Sequence, residues 1–304
     1  MPQEYYDAIA ANKRSTFFLF GVFFVVIVLL GFFIGVWMGS EIIGMVVTFA
    51  IAVVWGLVSW FAGDKIVLGV SGARKVRKTE YPYLYNTVEG LAIAAGVPTP
   101  EMYVIDDPSP NAFATGRDPQ HGKMAVTTGL LKMMNRQELE GVVAHEMSHI
   151  KNNDIRTMMI AAVLVGIIAL LGNMFIRMMF YSGGNRNKKG GHPALMVIGL
   201  LFIIASPIIA QMIKMAISRK REFLADASAV ELTRNPDGLR AALQKLALDH
   251  TPLRKANGAT AHLYIEDPMD KEKKGFFKSL NSMFSTHPPM ESRIARLTEY
   301  GAMG

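Results

Sequence analysis

"VVAHEMSHIKNNDIRTMMIAAVLVGIIALL", residues 142–171, puts two kinds of chemistry side by side. His145 and His149 stand four residues apart, so on a helix their imidazoles lie on nearly one face, about 40° apart around the axis. Two imidazoles stacked in this way can hold one metal ion. Glu146, one position on, points to the side of the pair, where its carboxylate can serve as general base toward water held by the ion. Within about two helical turns the same stretch becomes apolar for long enough to enter a bilayer. A site that splits water therefore stands at the edge of a membrane. The motif is short enough to arise by chance, and a helix with two surface histidines would read identically.

Composition narrows the metal and the partners. The 304 residues include no cysteine, which excludes disulfides and thiolate ligands and leaves any ion to imidazole and carboxylate. Hydrophobic residues make up 51% and cluster into four runs, so the soluble core is smaller than the length suggests. The net charge is +7, and the basic residues gather at the ends of the apolar runs. That placement suits an anionic membrane surface rather than a nucleic-acid groove, and no nucleic-acid partner is expected.

The first run, roughly residues 15–38, is long enough to cross about 30 Å of hydrocarbon. It exceeds a signal-peptide core, no small-x-small cleavage site follows it, and a second run begins at once at residues 42–62. Residues 1–62 are therefore expected to form a transmembrane hairpin. Lys13 and Arg14 precede it, and Lys65, Arg74, Lys75, Arg77 and Lys78 follow it, which places both flanks in the cytoplasm. Residues 63–156 then form a cytoplasmic part that carries the His-Glu motif. Residues 157–217 hold the third and fourth runs, about 157–180 and 193–217. A second spanning hairpin is the expectation, because it returns the chain to the side where the site is built. Its tip, "SGGNRNKKGGH", carries Arg186, Lys188 and Lys189 and favours the alternative, a helical pair lying on the cytoplasmic surface. Residues 218–304 complete the cytoplasmic part.

Between the runs the pattern is that of a small mixed domain. Leu84, Val88, Leu91, Ala92 and Ala95 share one helical face. "EMYVID" (101–106) and "KMAVTTGLL" (123–131) read as short strands around the turn-rich "DPSPNAFATGRDPQHG". Asn135 with Glu138 resembles a capping box that opens the motif helix. "SRKREFLADASAVELT" (218–233) and "DGLRAALQKLALD" (237–249) read as helices, and "IEDPMDKEKKGFFKS" (265–279) as a charged, mobile segment. The fold class expected is a mainly α membrane protein, with transmembrane helices and a metal-site domain that contains a small β-sheet.

Without cysteine, a third ligand must be a histidine or a carboxylate on another helix. "RKREFLAD" offers Glu222, with Asp226 four residues later on the same face. That arrangement suits a ligand and a carboxylate that orients a metal-bound histidine. The plainer alternative is an exposed helix whose acids pair with Arg219, Lys220 and Arg221.

"AHEMSHIKNND", "SRKREFLADASA", "NAFATG" and "STHPPMESRI", with the apolar runs, resemble the HtpX family of membrane-bound zinc metalloproteases. The wider group also contains the CAAX prenyl proteases. The resemblance runs in order over nearly the whole chain. It implies a gluzincin-type site, with one Zn2+ per chain on His145, His149 and Glu222 and with Glu146 as catalytic base. It also implies a multi-pass protein of the cell (inner) membrane, its active site facing the cytoplasm. There it would cleave misfolded, damaged or unfolded membrane proteins at the lipid bilayer.

Further candidates are less defined. Asn111, Ala112, Phe113 and Ala114 would form an edge that pairs with an extended substrate backbone, or else an ordinary turn. His287 and Arg293 would donate to the oxyanion or the substrate, or else cap and pack the C-terminal helix. Two rival functions are a CAAX prenyl-type protease and a cation transporter that uses the same ligands. The prenyl proteases are longer, with more spans. The runs here are nearly free of acids, and a transporter has no use for Glu146.

Overall fold

The computed structural model describes residues 14, 17–25, 27, 28, 31, 32, 39–166, 219–254, 260–266 and 288–302. The tip, the fourth run, most of the third and of the charged segment, and His287 lie outside the described residues. The first run is helical where described, and its Phe24 meets Phe49 of the next helix with ring centroids 5.8 Å apart.

That next helix, α1 (Glu41–Ser71), holds 31 residues, about 46 Å at 1.5 Å per residue. Among the described residues it is the one helix long and apolar enough to cross a membrane, by length and composition. Only 22% of its most apolar window is buried, whereas the core helix of a soluble domain is mostly covered. The helix runs nine residues past the expected end at 62, through Gly63 and Gly69, and stops at Gly72. There a left-handed φ of 69° lets the backbone N–H close on Leu68 and Gly69.

A four-stranded sheet follows, formed by β1 (Ala73–Lys75), β2 (Glu101–Ile105), β3 (Ala112–Thr115) and β4 (Lys123–Thr127) in the order β1-β2-β4-β3. β2 and β4 run parallel, and the outer strands pair antiparallel to them. The stretch expected as strand to residue 131 ends at Thr127. Its hydroxyl accepts from Leu130 N at 3.1 Å and starts the short helix α3 (Thr128–Met133). β1 escaped the sequence reading because three mostly exposed residues carry no alternation.

The alternation of the strands sorts the sheet's two faces. Met102, Val104, Ala112, Ala114, Met124 and Val126 join a core built with α2 (Pro82–Ala95), α4 (Arg136–Lys151), α6 (Arg219–Thr233), α7 (Pro236–Leu248) and α8 (Met290–Ala302). Ile105, Phe113 and Ala125 join a second core with Leu19 and Phe23 of the first run, Val67 and Leu68 of α1, and 158–164 of the helix α5, described over 154–166. The sheet is therefore a partition between the helices that carry the motif and the apolar helices.

α4 is the central element and is buried from Gly141 through Ile150. Asn135 and Glu138 form the expected capping box, each side chain bonded to the other's backbone N–H. Its approach to α7 is backbone-close: a Cβ on Gly141 would stand 2.5 Å from Leu239 N, so only glycine fits.

Candidate active site

α4 presents His145 and His149 one turn apart, and α6 brings Glu222 against them. The two Nε2 atoms are 3.3 Å apart, and Glu222 Oε1 lies 3.6 Å from His149 Nε2. Glu222 Oε2 lies 3.8 Å from His145 Nε2, and all three groups are buried. Tetrahedral zinc with bonds near 2.0–2.2 Å separates its donors by roughly 3.3–3.5 Å. One atom from each of the three groups lies within 4.8 Å of the others, so the set suits the ion once the Glu222 carboxylate draws in.

The outer nitrogens are held in place too. His145 Nδ1 is 3.0 Å from Asp226 Oδ1, and His149 Nδ1 is 3.0 Å from Asp154 Oδ2. A carboxylate on Nδ1 places the N–H there and leaves Nε2 as the lone-pair donor, which aims both rings at Glu222. Asp154 was missed in the sequence. Asn152 closes α4, and Asn153 takes φ 59°, a left-handed conformation that asparagine tolerates. The chain thereby turns back and sets Asp154, at the start of α5, beside His149. An Asn-Asn pair followed by an acid was the available signal.

Arg293, from α8, is fully buried and grips Asp226 with two bonds, Nε to Oδ2 at 2.9 Å and Nη2 to Oδ1 at 2.7 Å. Its Nη1 lies 3.6 Å from Glu222 Oε2 and donates to the Ile265 carbonyl at 3.3 Å. The guanidinium thus serves the acids around the histidines, and its Nη2 also lies 3.3 Å from His145 Nδ1. Burial alone would raise the Asp226 carboxyl, but Arg293 and the His145 bond hold it at about 2. Burial opposes charge on His149, yet Asp154, Glu222 and Glu146 raise it to about 9; a cation between the rings would replace that proton. Burial pushes the Glu146 carboxyl up from its ordinary value, against the pull of His145 and His149.

The structure brings Glu146, His145, His149, Glu222, Asp226 and Arg293 into one buried cluster. Asn111, Ala112, Phe113 and Ala114 lie apart from it, at β3, which packs along α4. β3 is the outer strand, but its edge is taken. Ile265 N donates to Ala112 O at 3.0 Å, and Asn111 Nδ2 donates to Glu266 O at 2.9 Å. Tyr264 meets the Phe113 ring edge-on at 5.0 Å. The reading of "NAFATG" as turn fails at Ala112–Thr115, which are strand.

A helix-borne His-Glu-x-x-His with a glutamate from a second helix defines a metallopeptidase class of site. Residues 78–301 match the model of peptidase family M48. A Dictyoglomus turgidum protein described as "Protease HtpX homolog" is 44% identical over 300 residues, 99% of this chain and 96% of its own. A Streptococcus gordonii protein of the same description is 44% identical over 298 residues, 96% of this chain and 98% of its own. The crystal structure of S. mikatae Ste24p aligns with a TM-score of 0.49 and 21% identity, over 89% of this chain and 62% of that one. The chain belongs to peptidase family M48, among the HtpX proteases. It is a metalloprotease, and the family's metal suits the donor set found here.

Proposed function

We propose that the chain is a zinc-dependent endopeptidase of the cell membrane that cleaves misfolded or damaged membrane proteins from the cytoplasmic side. One observation carries this reading: the sheet that bears the motif helix on one face bears the apolar helices on the other. α5 links the two layers: it starts at Asp154 beside His149 and runs into the apolar core at 158–164, so the site stands at the root of a helix suited to lipid. The proposed topology has a spanning hairpin at 1–62, a second at 157–217, and cytoplasmic parts at 63–156 and 218–304.

In this reading His145, His149 and Glu222 hold one zinc ion, and Asp226 and Asp154 fix the tautomers of the two rings. Zinc bound there supplies a Lewis acid for the scissile carbonyl and lowers the pKa of water toward about 7. Glu146 accepts the proton of the attacking water and delivers it to the leaving amine. Its buried surroundings favour holding that proton in between. Arg293 is a positioning residue: it contacts Asp226, Glu222, the His145 ring and a backbone carbonyl, and its charge lets three acids share a dry site. His287 is the remaining candidate donor to the oxyanion. An extended substrate would pair with β3 in place of residues 264–266, so that this segment moves aside on binding.

Glu146→Ala tests the chemistry. The purified variant should keep its zinc and its fold while hydrolysis of an unfolded, membrane-tethered substrate falls about 10²–10⁴-fold. Cleavage near the parent rate would remove Glu146 from the mechanism.

A further inference from the structure

Near the sheet, the first run and α1 part to leave a groove of about 510 Å³, within the range of small-molecule sites. Phe17, Phe20 and Phe24 line one wall, Leu57 and Trp60 the other, and Arg156 of α5 closes one end. The lining is apolar except for that guanidinium.

Arg156 is half-buried, and its plane lies over Trp60, 5.4 Å from the ring centroid. Its Nε donates to the Arg117 carbonyl at 2.5 Å. No carboxylate among the described residues stands within ion-pair distance of it. Arg117, beside it, is drawn away toward Asp118 at 3.6 Å and His121 at 2.7 Å. Arg156 therefore carries a positive charge against apolar walls without a counter-ion among the described residues, an arrangement that is costly unless an anion or water covers it. A second, polar cavity of about 330 Å³ opens on the other side of Trp60, where Asp64 and Lys123 pair. An apolar slot, a tryptophan and a cation in succession are the profile of the membrane surface, read from chain interior to headgroup.

We propose that this groove holds one anionic phospholipid, with an acyl chain among the three phenylalanines and Leu57 and the phosphate against Arg156. Charge selects the ligand: a zwitterionic lipid offers the same chain but cancels much of the attraction with its own cation. The site rests on the reading that α1 crosses the membrane with its Trp60 end on the protease side. It ties the motif-bearing part to the leaflet at one fixed depth, because Arg156 follows Asp154 by two residues on α5.

The test uses the full chain with Trp37→Phe and Trp55→Phe, which leaves Trp60 as the sole tryptophan, in phosphatidylcholine bilayers. Quenching of Trp60 is compared for phosphatidylglycerol and phosphatidylcholine with brominated acyl chains. The anionic lipid should associate about fivefold more strongly. Arg156→Gln should bring the two to equality with zinc content unchanged, whereas Arg156→Lys should keep most of the preference and Lys78→Gln all of it. Equal quenching in the parent chain, or a preference that survives Arg156→Gln, overturns the site while leaving α1 in the bilayer. Quenching by neither lipid overturns the site together with the membrane reading of α1. Displacement of both lipids alike by a membrane-tethered substrate would give the groove to the substrate and overturn the proposal.

Discussion

Helix α1 is long and apolar, yet most of its surface is uncovered, with Ile42, Val46, Val54 and Phe61 each more than half exposed. Helix α4 carries three glutamates, two histidines, an arginine and a lysine, yet it is buried without a break from Gly141 to Ile150. Burial runs opposite to polarity. The contrast teaches that each helix is matched to a different surrounding. The side chains of α1 need no protein cover where lipid supplies it, since hydrocarbon solvates leucine and valine as well as a core does. Those of α4 tolerate a dry interior because the metal-site histidines and the acid behind them are partnered: Asp226 for His145, Asp154 for His149, Arg293 for Asp226.

If partnering is what permits the burial of α4, removing a partner should cost far more there than any change on α1. The largest effect on stability is expected for Arg293→Ala, which leaves Asp226 and Glu222 without their cation. About 3–5 kcal/mol should be lost in a denaturation series, along with zinc. Arg293→Lys should recover part of the stability and little of the zinc affinity, since an ammonium restores charge but not the two-pronged bond to Asp226. Full recovery of both by lysine would reduce Arg293 to bulk electrostatics.

Asp154→Asn comes next. An amide holds the His149 ring less firmly and no longer supports its basicity, so zinc affinity measured by chelator competition should fall about 10–100-fold. The fold should persist, as the loss concerns one ring's orientation. Unchanged affinity would show that the turn at Asn152–Asn153, not the carboxylate, sets the imidazole.

Val54→Leu on the exposed face of α1 should do least. In a bilayer its thermal stability and activity should lie within about 0.5 kcal/mol of the parent. A loss comparable to that of Asp154→Asn would mean that protein, not lipid, covers this face, and the contrast between the two helices would fail.

Much of this was legible along the chain. The capping box at Asn135 and Glu138, the buried face of Leu84 to Ala95, and the helical motif around His145 follow from local spacing, and the structure shows each. The convergence of Glu222 on the two histidines was expected from the chemistry left open by the lack of cysteine, aided by resemblance to the HtpX proteases. Local rules erred where a side chain outside the pattern decides, as where the Thr127 hydroxyl ends β4 and opens α3. They were silent on Asp154, whose place depends on a left-handed residue between two helices.

By itself the sequence determined which residues can meet: helical period puts His145, Glu146 and His149 on one side of α4, and composition limits their metal to nitrogen and oxygen donors. Only the tertiary structure decided what each of them faces. It turned Arg293 inward onto Asp226, laid Ile265 along the β3 edge, and placed the sheet between the motif and the apolar helices. The reason is physical. Periodicity is a property of neighbours within about a turn, whereas the cost of burying a charge depends on every group that surrounds it, including those more than a hundred residues away.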